Sequence, residues 1–241
     1  MPGDAADRCP QFSLVLPAHN EEEILADTVA SLVVGLRSRG VAFEVLVVEN
    51  GSTDATMALA ERLAGEHTEV TALQNPTPDY GLALRRGLLT ARGEVVVNFD
   101  VDYYDLDFFD KAVALLRERG AGIVVGTKRG AGAEDERPLS RRLVTGGFSL
   151  LLRRGFGLKA SDTHGMKALD RALVVPIAER CQLGTDLFDT ELVLRAERAG
   201  IRVEELPVRV TELRPARSSI ARRILRTTLG LRQLRLALRE E

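Results

Sequence analysis

Three clusters of polar residues interrupt an otherwise apolar N-terminal half, and each follows directly on a run of aliphatic residues. Pro17-Ala18-His19-Asn20-Glu21-Glu22-Glu23 follows Phe12 to Leu16, Glu49-Asn50-Gly51-Ser52-Thr53-Asp54 follows Val45 to Val48, and Asp100-Val101-Asp102 follows Val95 to Phe99. Carboxylates at i and i+2 of an extended segment point the same way. Asp100 and Asp102 can therefore converge on one hard divalent cation, Mg²⁺ or Mn²⁺. Such a cation suits a diphosphate, because the glutamates after the first run would repel phosphate unless a metal stood between them. The Gly-rich turn of an ordinary dinucleotide site is absent, with Pro and acids in its place. An Asp-x-Asp triplet by itself is common on acidic surfaces; its position at the end of an apolar run gives it weight.

The elements that must carry these residues follow from periodicity. Phe12 to Leu16, Val45 to Val48, Val70 to Leu73 and Val95 to Asn98 read as short buried strands. Between them, Ile24, Leu25, Thr28, Val29, Leu32 and Leu36 recur at helical spacing, with Asn20 as the expected N-cap. Ser52 or Thr53 is expected to cap a second helix through Met57 and Leu63, and Tyr80 to Ala91 a third, closed by Gly93. A helix over Leu106 to Arg119 and a strand over Ile123 to Val125 extend the series, and an Arg-rich helix follows from Pro138 to Arg154. Alternating strand and helix predict parallel βαβ units: a Rossmann-like α/β fold with a mostly parallel central sheet and helices on both faces. Ligands of such sheets bind beyond the carboxyl ends of the strands, where the polar clusters lie.

The chain has 241 residues, 45% hydrophobic and 28% charged, with a formal net charge of −2. That composition excludes global disorder and argues against a nucleic-acid role. Cys9 and Cys181 lie far apart with no signal-like N-terminus, which fits a reducing cytoplasm and no disulfide framework. No apolar run reaches the ~20 residues of a membrane span, so membrane contact is expected to be peripheral. One domain is expected over residues 1–217, with a boundary between its two halves (1–126 and 127–217) where the strand–helix rhythm changes, followed by a basic helical tail (218–241).

Taken in order, Phe12 to Glu23, Val47 to Asp54, Tyr80 to Gly87 and Val96 to Asp102 resemble the family 2 inverting glycosyltransferases of the GT-A fold. Within that family the likeness is greatest to dolichyl- or polyprenyl-phosphate mannosyltransferases and glucosyltransferases. The resemblance implies a nucleotide-sugar donor (a GDP- or UDP-hexose) and Mg²⁺ or Mn²⁺ held by Asp100 and Asp102. It places Pro17, His19, Glu21, Glu49, Asn50, Arg85, Asp100, Val101, Asp102, Lys128 and Arg217 on the donor side. His19 stands where relatives often have Tyr, and Glu49 and Asn50 where they usually have two aspartates. Arg85 is the expected replacement for a basic residue missing before Gly81. Tyr104 is left out of the metal shell because a phenol is a poor Mg²⁺ ligand.

On the acceptor side, the resemblance places Lys128, Arg141 and Thr145 where relatives hold a polyprenyl phosphate, by charge and hydroxyl contacts. Asp162 to Lys167 matches a segment that packs under the active site, with His164 structural. Asp189 and Glu191 are candidate general bases if the acceptor is a hydroxyl; a phosphate monoester, with a second pKa near ~6, needs none. Arg217-Ser218-Ser219 resembles a loop that closes over donor phosphates. The tail, Ile220 to Leu238, carries leucines on two sides and many arginines, which suits contact with an anionic membrane or a second subunit. Two other functions stay open: the same donor chemistry with a soluble hydroxyl acceptor, and a catalytically silent nucleotide-sugar-binding scaffold.

Overall fold

Strand and helix alternate as β1 (Phe12–Ala18), α1 (Leu25–Ser38), β2 (Phe43–Asn50), α2 (Thr56–Glu66), β3 (Val70–Asn75), α3 (Tyr80–Thr90), β4 (Val95–Asn98) and α4 (Leu106–Arg119). There follow β5 (Ile123–Thr127), β6 (Glu134–Asp135), α5 (Leu139–Phe156), β7 (Lys167–Asp170), α6 (Arg171–Arg180), α7 (Leu187–Arg198), β8 (Val203–Pro207) and β9 (Arg209–Val210). The computed structural model describes residues 9–127, 134–135, 139–185, 187–210 and 230–239, with backbone alone at 134–135, 139–145, 148 and 209–210. Lys128, Asp186, the 217–219 loop with Arg217, and the first half of the tail lie outside these residues, as do the side chains of Arg141 and Thr145.

The large sheet has the order β3-β2-β1-β4-β7-β5-β8, and β6 pairs with β9 separately. Neighbours are parallel except at β7, which runs antiparallel to both β4 and β5. The chain winds outward from β1 through β2 to β3, then returns to lay β4 on the other side of β1. That reversal opens a crevice beyond the carboxyl ends of β1 and β4. Because β7 is antiparallel, its first residue, Lys167, sits opposite Asn98 at the same edge.

Side chains alternate across the sheet as the period of two demands. Leu14, Leu16, Val45, Val47 and Val97 enter one core with α1, α2 and α4; Val15, Leu46, Val48 and Val96 enter the other with α3, α6 and α7. Each fully buried aliphatic side chain contributes roughly 1.5–3 kcal/mol of transfer energy, which explains why strands this short are fixed in register. A third cluster joins Leu152 and Leu158 to Val193, Leu194, Leu234 and Leu238, seating residues 230–237, which are helical, against the body. Both cysteines are free. No helix among the described residues is long and apolar enough to cross a membrane.

Helix starts differ from expectation. Helix α1 begins at Leu25 with no side-chain cap, while Asn20 takes a left-handed φ of 55° and turns to the loop after β2. Its amide donates to Ser52 Oγ (3.0 Å) and its Oδ1 accepts from the Thr53 amide (2.8 Å). Neither Ser52 nor Thr53 caps α2; Asp54 Oδ1 accepts the Thr56 amide at 3.0 Å instead. Gly93 is not a helix cap either. A Cβ there would lie 2.6 Å from the backbone of Phe12 and Ser13, so Gly93 allows the approach to β1.

Candidate functional site

The loops after β1 and β2 are bound into one rim. Glu21 donates its amide to Thr56 Oγ1 (2.9 Å), Glu22 donates its amide to Asp54 Oδ2 (3.3 Å), and the Ala55 amide donates to Glu22 Oε2 (2.8 Å). The Glu22 carboxylate therefore satisfies an amide of the opposing loop, while the backbone amides of Glu21 and Glu22 are satisfied by Thr56 and Asp54, a use that local sequence does not reveal. The exposed His19 ring lies against the β2 end, where Nδ1 donates to the Asn50 carbonyl at 2.8 Å. Glu49 is buried and accepts from the Ser52 amide. Asn50 Oδ1 accepts from Asn75 Nδ2 (2.9 Å) and the Asp79 amide (2.8 Å), so this amide ties β2 to β3 and to the start of α3. Pro17 is buried within β1.

At the end of β4 the chain makes a tight turn, not an extended segment. Asp100 and Tyr103 exchange both backbone hydrogen bonds, at 3.2 and 3.1 Å. Val101 points into the core, 3% exposed, and its carbonyl accepts from Thr28 Oγ1 at 2.8 Å. Val101 thus holds the turn from beneath and does not face the donor side as expected. Asp102 is exposed at the tip. The turn, and not strand pleating, brings the two carboxylates together.

Asp100 is the electrostatic centre. Its side chain is enclosed by protein yet keeps a partial opening to solvent, and its pKa is pushed up to about 6. Loss of hydration is the main cause, followed by the negative charge of Asp102 and, more weakly, of Asp189. Lys167 and a hydrogen bond from Tyr80 Oη at 3.3 Å act the other way. Lys167 is itself fully buried, with Nζ 2.9 Å from Asp189 Oδ1 and donating to the Gly165 carbonyl at 2.8 Å. Neither Tyr80 nor Lys167 is among the expected ligand-contacting residues, although Tyr80 opens the Tyr80 to Gly87 motif and Lys167 closes the segment expected to pack under the active site. A lone Lys inside the apolar run Met166 to Leu169 is a local signal for Lys167.

Two expected residues stand elsewhere. Arg85 donates Nε and Nη2 to the carbonyls of Ala178 and Glu179, both at 2.9 Å, and so closes the end of α6 and offers no charge to a phosphate. Glu191 is buried against Arg195 (2.8 Å) and accepts the amides of Gln182 (3.0 Å) and Leu183 (2.8 Å). Residues two apart on a helix point to opposite sides, so Asp189 reaches the Asp100 corner and Glu191 cannot. Glu191 is thereby corrected from candidate base to structural anchor.

Asp102 and Asp189 both add negative charge around Asp100 with Lys167 opposing them, and this leaves a deficit of positive charge at the corner that a divalent cation would fill. The described residues contain no group of three or more ligating side chains. Asp100 and Asp102 fit a partial shell of the Mg²⁺ or Mn²⁺ type, to be completed by phosphate and water oxygens. Tyr80→Phe removes a donor that favours ionised Asp100. Metal-dependent donor binding in this variant is expected to fade at a higher pH than in the parent, read by a binding titration from pH 5 to 8; an unmoved profile would remove Tyr80 from the site.

A sheet wound from β1 with one antiparallel strand, and an acidic turn at its switch point, define an α/β fold of the GT-A class. Residues 13–175 match the model of glycosyl transferase family 2, and the chain belongs to that family. It is 32% identical over 203 residues to the glycosyltransferase AglD of Haloferax volcanii, covering 82% of this chain and 32% of that protein's own length. It is 27% identical over 221 residues to the dolichyl-phosphate beta-glucosyltransferase ALG5A of Trichomonas vaginalis, covering 87% of this chain and 68% of that one. Glucosyl-3-phosphoglycerate synthase of Mycobacterium tuberculosis, solved with Mn²⁺ and UDP-glucose, superposes with a TM-score of 0.59 at 26% identity, over 94% of this chain and 80% of the other.

Proposed function

We propose that this protein transfers a hexose from a nucleoside-diphosphate sugar to a polyprenyl-type phosphate, with inversion, in a single displacement aided by a divalent cation. The observation that carries the reading is the Asp100–Asp102 turn at the switch point, short of positive charge and flanked by Tyr80 and Lys167. A bound Mg²⁺ or Mn²⁺ would neutralise charge developing on the departing diphosphate. Asp100 and Asp102 hold that ion, Tyr80 keeps Asp100 oriented, and the interlocked loops after β1 and β2 form the wall beside the nucleoside, with His19 at its mouth. Glu49 and Asn50 shape that wall through the bonds they make to Ser52, Asn75 and Asp79. Pro17 stiffens the β1 end behind them.

Both candidate bases are occupied, Asp189 by Lys167 and Glu191 by Arg195. A phosphate dianion attacks without a base, whereas an alcohol must lose a proton. This favours a phosphate acceptor, as does the named activity of the Trichomonas relative. The soluble-acceptor reading draws on the mycobacterial synthase, whose name gives phosphoglycerate as acceptor, and on Asp189 should Lys167 release it.

GDP- and UDP-hexoses are expected to raise the melting temperature only with Mn²⁺ or Mg²⁺ present, and one donor should then be turned over with a short-chain polyprenyl phosphate. Donor binding without transfer to either acceptor class would favour the scaffold reading. Transfer to phosphoglycerate alone would favour the soluble acceptor.

A further inference from the structure

From Leu139 to Phe156 and from 230 to 239 the chain contains no Asp or Glu, yet it carries Arg141, Arg142, Arg153, Arg154, Arg232, Arg235 and Arg239. In a protein of net charge −2, seven arginines are thus confined to two segments without a countercharge inside them. The fold makes these segments neighbours. Leu152 of α5 and Leu234 and Leu238 of the C-terminal helix enter one small cluster with Val193 and Leu194 of α7. Arg195 Nη2 fastens the C-terminal helix further by donating to the Ala237 carbonyl at 2.8 Å. The helix is therefore part of the body and presents a fixed outer face.

That outer face mixes charge with hydrocarbon. Leu150 and Leu151 on α5 are 49% and 55% exposed, and Leu236 on the C-terminal helix is 54% exposed. Arg153, Arg154, Arg232, Arg235 and Arg239 are exposed on the same two segments. Leucines standing among arginines suit the boundary between headgroups and acyl chains, where guanidinium groups meet phosphates and the apolar side chains enter hydrocarbon. A polyanion such as RNA would match the charge but leave the leucines in water. A second copy would bring arginine against arginine.

We propose that α5 and the C-terminal helix together form a docking surface for an anionic phospholipid bilayer. The surface goes beyond the transfer chemistry, and it is tested by binding alone. Full-length protein is sedimented with vesicles of phosphatidylglycerol mixed equally with phosphatidylcholine, and with vesicles of phosphatidylcholine alone. Binding is expected only to the anionic vesicles. It should weaken about a hundredfold in the triple variant Arg232→Gln, Arg235→Gln, Arg239→Gln, from a factor of about five per arginine. The pair Leu151→Ser, Leu236→Ser should weaken binding about tenfold or more with the charge intact. All five side chains are exposed, so the variants should fold. No sedimentation with anionic vesicles overturns the proposal. Two other results overturn it as well: sedimentation that the leucine pair leaves unchanged and RNA competes away, or a dimer that the leucine pair dissolves with no vesicle binding.

Discussion

Replacing Asp100 with Asn is expected to abolish transfer while making the metal-free protein more stable above pH 6. The sign follows from the direction of the shift. An acid whose folded pKa stands near 6, against about 3.8 when unfolded, favours the protonated form in the fold. Its contribution is harmless below pH 4 and becomes a growing penalty as the pH rises through 6. Full ionisation costs up to about 3 kcal/mol at 1.36 kcal/mol per pKa unit, less whatever water at the mouth of the site screens. Asn carries no charge, so the variant should melt several degrees higher than the parent at pH 8 and no higher at pH 4. Added Mn²⁺ should reverse the order, because the parent gains a ligand-bound state and the variant does not. Turnover should fall by about a thousandfold or more, as when a preorganised electrostatic group is removed from a transition state. Equal melting curves at pH 8, or near-normal turnover, would show that Asp100 is neither strained nor a metal ligand.

Such a group can be recognised in sequence when strain and function coincide at a strand end. The hydrophobic period located β1, β2 and β4, because each is buried on both faces and must read as an apolar run, whereas β3 lies at the sheet edge with Thr71 and Gln74 exposed and reads less cleanly. The acids after those runs then had to lie at the carboxyl edge, and the Asp100–Asp102 corner does. What the sequence concealed depends on partners remote in the chain. Asn20 has the composition of a helix cap but serves Ser52 and Thr53, over thirty positions away. Arg85 lies beside Gly87 in a phosphate-like motif, yet the helix turn that carries it faces α6. The antiparallel insertion of β7 between β4 and β5 brings Lys167 to the site, and no local pattern distinguishes that pairing from a parallel one. Glu191 differs, because its position is legible from helix spacing. Its spacing of two from Asp189 on a predicted helix already placed the pair on opposite sides.

Lys167→Met is expected to be the most damaging single change to stability. The ammonium is fully buried and the Asp189 carboxylate 1% exposed, with 2.9 Å between Nζ and Oδ1. That oxygen lacks a well-aligned hydrogen bond, so the attraction is mainly coulombic. Removing one partner of a buried pair leaves an uncompensated charge and costs about 3–5 kcal/mol, whereas replacing both with apolar groups is often nearly neutral. Lys167→Met alone should therefore lower the melting temperature by roughly 10 °C, and Lys167→Met with Asp189→Leu should recover most of that loss. The pair also acts on Asp100, with Lys167 holding its pKa down and Asp189 holding it up. In the single variant, Mn²⁺-dependent donor binding should fade at a higher pH than in the parent. In the double variant the two influences are removed together, and the pH profile should return toward the parent. A merely structural pair would show the stability pattern without the pH pattern. A Lys167→Met protein within about 1 kcal/mol of the parent would mean that water reaches the pair, and that Lys167 does not set the charge balance at the Asp100 corner.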